Sequence, residues 1–176
     1  KGELNAAEKL LREALRIQKA ATGNEEETAA TMHNLASLLV TRGELEAAAE
    51  MYRPTIERLT VLHGPRHAQV TSAINELAYV MLSRGEYAQA ERLYTQALAT
   101  DRQLLGNNHP QTMHQVSSLA SALQMQGKLL EARPLFQESI AIARQVLGAE
   151  HPDTIRATSN YGWFLQNEGK FAEAEQ

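Results

Sequence analysis

The chain has 176 residues, 43% of them hydrophobic but only 5% aromatic, so a core of ordinary domain size must be built from Leu, Ala, Ile and Val. Its net charge of −4 excludes a general electrostatic attraction to nucleic acid or to an anionic membrane, and the lack of cysteine excludes disulfides, zinc–thiolate sites and thiol nucleophiles. No apolar run reaches about 18 residues, so no membrane-spanning helix is expected, and no signal peptide is visible from Lys1 onward.

Leu4, Ala7, Leu10, Leu11, Ala14, Leu15 and Ile17 recur at three- and four-residue steps, which predicts a helix from about Glu3 to Ala21, stopped by Gly23. Glu25, Glu26 and Glu27 open the next helix, where the helix dipole favours acidic residues in the first turn, and that helix ends at Gly43. A longer helix of about Glu44 to Leu62 follows, closed by Gly64-Pro65. The short-then-long pair returns over about Ala68–Ser83 and Glu86–Leu105, and again over about Pro110–Gln126 and Lys128–Leu147. A last helix spans about Pro152–Asn167, and a stub begins at Lys170. No stretch alternates with period two, so no strands are expected. Pro54 and Pro134 fall inside predicted helices, where a missing N–H is expected to produce a kink that packing tolerates.

The chain rewrites one segment. Gly2, Gly43, Gly85, Gly127 and Gly169 open successive copies, the first step 41 residues long and the next three 42. A fixed period in this range means a stacked array of supersecondary units. Ala36, Ala78, Ala120 and Gly162 are in register on the first helix of each unit, and Ala7, Ala48, Ala90, Ala132 and Ala174 on the second. Small side chains at a crossing let two helix axes approach closely. Tyr52, Tyr94 and Phe136, with Leu11 in the first copy, are expected to fill the space beside them. The predicted fold is all-α: an α-solenoid of antiparallel helix pairs winding into a right-handed superhelix. Its expected divisions are 1–23 (the second helix of a truncated repeat), 24–64, 65–106, 107–148 and a truncated 149–176, together one array. Both ends fall inside a repeat, so the chain reads as part of a longer array.

Leu77-Ala78, Gly85, Tyr87, Ala90, Tyr94 and Ala97 resemble the tetratricopeptide repeat pattern. The period is about eight residues longer than that family's usual repeat of roughly 34. The added length resembles the kinesin light chain type of tetratricopeptide repeat, carried by Leu105-Gly-Asn-Asn-His-Pro-Gln-Thr112, Leu147-Gly-Ala-Glu-His-Pro-Asp-Thr154 and Glu131-Ala-Arg-Pro-Leu-Phe136. The resemblance implies a cytoplasmic, non-enzymatic scaffold that holds an extended peptide or a partner surface along a groove lined by the first helices. The alternatives are a structural or self-assembling segment, joined through exposed array ends or the convex face, and a regulatory domain of a larger protein.

On that template the groove positions are His33, Asn34 and Ser37; Ser72, Asn75, Glu76 and Tyr79; His114, Ser117, Ser118 and Ser121; and Arg156, Asn160 and Trp163. Asparagine both donates to and accepts from a peptide backbone, which suits a sequence-tolerant grip. Tyr79 and Trp163 occupy equivalent places two repeats apart and are expected to anchor apolar ligand side chains. Family members that clamp a terminal carboxylate use several cations. Arg156 is the one Lys or Arg among these positions, so a neutral or apolar protein or peptide ligand is expected. No cofactor, catalytic residue or metal site is expected. His67, His109 and His151 recur once per repeat, roughly 20 Å apart for two helix widths of about 10 Å each, too far to share an ion, and read as helix-start residues. His63 and His67 are four apart, but Gly64-Pro65 is expected to break the helix that would align them.

Overall fold

The computed structural model describes residues 2–21 and 23–169, so the expected stub at Lys170 and the register residue Ala174 lie outside the described residues. Eight helices and no strand are found among the described residues: α1 (Gly2–Ala20), α2 (Glu25–Thr41), α3 (Leu45–His63), α4 (Ala68–Ser83), α5 (Tyr87–Leu105), α6 (Pro110–Met125), α7 (Leu129–Leu147) and α8 (Pro152–Asn167). The fold is an all-α helical repeat array. The chain divides into two compact units, Lys1–Leu93 and Tyr94–Gln176, each described by itself. In the first, α2 packs on α1, α3 and α4, and α3 packs on α4. In the second, α7 packs on α6 and on α8.

α3, α5 and α7 each start one residue later than the periodicity suggests, because Glu44, Glu86 and Lys128 are the residues before the first turn. Their carbonyls accept from the N–H groups of Ala48, Ala90 and Ala132 at 3.0–3.1 Å. The junction before them is fixed by glycine. At Gly43, φ is +78°; its N–H reaches Val40 O and the next N–H, of Glu44, reaches Leu39 O, both at 2.9 Å. This paired closure satisfies carbonyls that would otherwise end the helix unpaired, and it needs a left-handed residue. α3 continues as an α-helix through Pro54, which lies on the exposed side.

The motif shared by 105–112 and 147–154 has a local explanation. His109 Nδ1 accepts from Gln111 N at 3.1 Å and His151 Nδ1 from Asp153 N at 3.1 Å, so each imidazole caps a helix whose first residue is proline. Thr112 and Thr154 donate their hydroxyls to Gly106 O and Gly148 O at 2.8 and 2.7 Å, which ties the loop to the helix start. His67 caps α4 in the same way, through Gln69 N at 3.3 Å. His109→Ala is expected to lower stability by about 1 kcal/mol, and His109→Asn to restore most of it, because an N-cap needs a side-chain acceptor; urea unfolding of the two variants checks this.

The small residues and their neighbours form the core. Ala36, Ala48, Ala78, Ala90, Ala120 and Ala132 are fully buried, and so are the larger side chains of Tyr52, Tyr94 and Phe136.

Candidate functional site

The expected groove residues of the first unit lie on α2 and α4, which pack directly against each other. Helical spacing turns Leu35, Ala36, Leu77 and Ala78 into the core and leaves Asn34, Ser37, Ser72 and Tyr79 exposed, with His33, Asn75 and Glu76 half-buried. His33 stands edge-on against Tyr52 of α3, ring centroids 5.6 Å apart at 77°. Burial pushes the Tyr52 hydroxyl above its ordinary range, and the Glu76 carboxylate adds to the effect. Tyr79 keeps 49% of its surface exposed. Beside these residues, α2, α3 and α4 enclose a hollow of about 190 Å³ lined by Glu26, Ala29, Ala30, His33, Asn34, Leu59, Gln69 and Ser72.

In the second unit the expected residues lie on α6 and α8 and are joined by hydrogen bonds. Arg156 Nη2 donates to His114 Nδ1 at 3.0 Å and pairs with Asp153 Oδ1 at 3.1 Å. His114 Nε2 lies 3.5 Å from Asp153 Oδ2. Taking a hydrogen from Arg156 at Nδ1 leaves the His114 proton on Nε2, the side facing Asp153. Burial, then the Arg156 guanidinium, pulls the His114 imidazole below its ordinary range, with Asp153 opposing. Asn160 Nδ2 approaches Ser117 Oγ at 3.5 Å, and Ser121 Oγ donates to Ser117 O at 3.0 Å. Ser118 is half-buried, and Trp163 keeps 50% of its surface exposed.

Because the folded state resists charging His114, the unfolded chain takes up the proton first on acidification. Stability from this site is complete above the ordinary histidine pKa and is lost as pH falls through the folded value. His114→Asn is expected to lose less stability than the parent on mild acidification, as read from urea midpoints across that range.

Two features were not expected from the sequence. His63 and His67 do meet: the turn at Gly64-Pro65 brings their rings into a stack with centroids 4.3 Å apart at 24°, and His63 Nε2 lies 2.8 Å from Glu26. Gly64 at φ +83° reverses the chain instead of separating the pair. Among the described residues no group of three or more His, Asp or Glu could hold a metal ion. The hollow was missed as well. Its signal was the small residues Ala29, Ala30 and Ser72 at places where other repeats carry larger side chains.

A family model described as tetratricopeptide repeat matches residues 1–60 and 112–176, and another of the same description matches residues 70–111. The chain belongs to the tetratricopeptide repeat family. Among solved structures it is similar to a single-residue variant of the nearly identical TPR-like repeats of a kinesin light chain-like protein from Podosopora anserina, with a TM-score of 0.87 and 24% identity over 99% of this chain and 82% of that one. It is also similar to BtubC (BKLC) from P. vanneervenii, with a TM-score of 0.88 and 22% identity over 99% of this chain and 70% of that one. MamA RS-1 is more distant, at a TM-score of 0.65 and 16% identity over 97% of this chain and 85% of that one. No curated protein matches the sequence. At these identities the structural likeness carries the fold, which is that of kinesin light chain-like tetratricopeptide arrays. Tetratricopeptide repeats are in general protein–protein interaction modules. Among the described residues no helix is long and apolar enough to cross a membrane.

Proposed function

We propose that the exposed faces of α2 and α4 in the first unit, and of α6 and α8 in the second, bind an extended peptide or partner surface of neutral or apolar character, as a non-enzymatic cytoplasmic scaffold. The kinesin light chain-like resemblance supports the scaffold role and the cytoplasmic setting. The observation that carries the ligand class is the engagement of Arg156. Its guanidinium is engaged by Asp153 and His114, so the one cation among the groove positions already has partners within the fold. Beside the half-buried His33 and Glu76, these faces carry two-way hydrogen-bonding groups at Asn34, Asn75 and Asn160, serine hydroxyls, and the half-exposed rings of Tyr79 and Trp163. Asparagine amides grip a backbone whatever its side chains, and half-exposed aromatic rings supply apolar contact area.

The test is a random-peptide display selection on the parent and on the Asn34→Ala, Asn75→Ala, Asn160→Ala triple variant, with helicity matched by circular dichroism. Peptides that enrich on the parent and not on the variant are expected. Equal enrichment on both, or none on either, contradicts the reading.

A further inference from the structure

Resting on the groove reading above, we propose that the hollow between α2 and α4 is an anchor pocket for one aliphatic side chain of an otherwise neutral bound segment, with a single lysine or arginine next to that residue meeting Glu26. The apolar lining is Ala29, Ala30 and Leu59. At about 190 Å³ the space falls below the roughly 300–1,000 Å³ of a site for a whole small molecule, and suits a single side chain.

The hollow exists because three positions are small. Two repeats further on, Ala29, Ala30 and Ser72 become Met113, His114 and Arg156. Met113 is buried there, and Arg156 reaches His114 at 3.0 Å, so larger side chains, two of them bonded to each other, stand at the places that are short in the first unit. The repeat therefore accepts either a filled or an open version of this place, and the first unit carries the open one.

The lining also sets a charge preference. Among the described residues Glu26 is the one Asp, Glu, Lys or Arg in it. Its carboxylate, 49% exposed, receives Gln69 Nε2 at 3.2 Å and lies 2.8 Å from His63 Nε2. A carboxylate offers about four acceptor sites, so room remains for a ligand cation, whereas a ligand carboxylate would be repelled.

The pocket can be closed without touching the core. Ala30 is exposed, and leucine is nearly as good a helix former, so Ala30→Leu fills the space while keeping α2; Ser72→Leu fills it from α4. The experiment repeats the peptide selection on the parent, both filled variants and Glu26→Gln, with helicity and melting checked for each, followed by titration of one enriched synthetic peptide. The parent is expected to enrich an aliphatic residue beside a basic one. Both filled variants should weaken the synthetic peptide by about tenfold or more, equivalent to about 1.4 kcal/mol. Glu26→Gln should keep the aliphatic preference and lose the basic one. If the peptide is lost on the triple asparagine variant but binds both filled variants as it binds the parent, the anchor pocket is wrong and the groove reading stands. If Glu26→Gln leaves the consensus unchanged, the charge preference is wrong. If nothing enriches on the parent, the groove reading fails and the pocket with it.

Discussion

Phe136→Ala is expected to destabilise the second unit by about 3–5 kcal/mol, the range for deleting a buried aromatic side chain. Phe136 is 1% exposed, and its ring lies 5.2 Å from that of Phe164 and 6.3 Å from that of Tyr161. Arg133 sits over Phe164 at 5.6 Å and pairs with Glu168, which holds the second ring in place. Ala132, one turn earlier and fully buried, has no side chain able to move into the cavity. Phe136→Leu should lose clearly less, since leucine leaves a smaller cavity. Urea unfolding decides it: the midpoint should fall with little change in slope. A loss below about 1 kcal/mol for the alanine variant would remove Phe136 from the centre of this packing.

The second large effect concerns a polar pair in a place the other repeats keep apolar. Asp101 on α5 and Gln115 on α6 are 1% and 3% exposed, whereas their repeat equivalents are Leu59 and Ala73 in one direction and Ala143 and Ala157 in the other, all buried. Gln111 Nε2 reaches Asp101 Oδ1 at 3.4 Å, but Asp101 Oδ2 and Gln115 Oε1 have no partner among the described residues. A buried acceptor without a donor loses its hydration and recovers nothing. Asp101→Leu combined with Gln115→Ala, which restores the composition of Leu59 and Ala73, is therefore expected to stabilise the protein by about 1–3 kcal/mol.

The same site sets a pH dependence. Burial pushes the Asp101 carboxyl above its ordinary range, against the amides of Gln115 and Gln111 and the nearby His109. The folded state thus holds this proton more firmly than the unfolded chain does. The resulting stability is complete below the ordinary aspartate pKa and is lost as pH rises through the folded value. Asp101→Asn should remove that loss, so the gap in urea midpoint between it and the parent should widen from acid toward neutral pH. A constant gap would mean that Asp101 ionises as freely in the fold as in the unfolded chain.

The helices were legible because the period and its small residues are written directly in the chain: Ala36, Ala48 and Tyr52 are all buried where short α2 packs on long α3. The exposed faces were legible for the same reason, since fixing the core positions leaves Asn34, Tyr79 and Trp163 outside. What could not be read was contact between side chains from different helices. Arg156 looks like a free groove cation in sequence, and only the approach of α8 to α6 shows it bonded to His114. Gly64-Pro65 does end the helix between His63 and His67, yet the turn geometry stacks their rings. The hollow beside α2 is a space, and a space is set by what neighbouring helices fail to fill.

The most direct test of the account is amide chemical-shift mapping of the whole chain by two-dimensional NMR, titrating a peptide enriched in the selection. The account predicts saturable shifts on α2, α4, α6 and α8, centred on Asn34, Asn75, Tyr79, Asn160 and Trp163. Shifts confined to α1, α3, α5 and α7, with those residues unmoved, would contradict it.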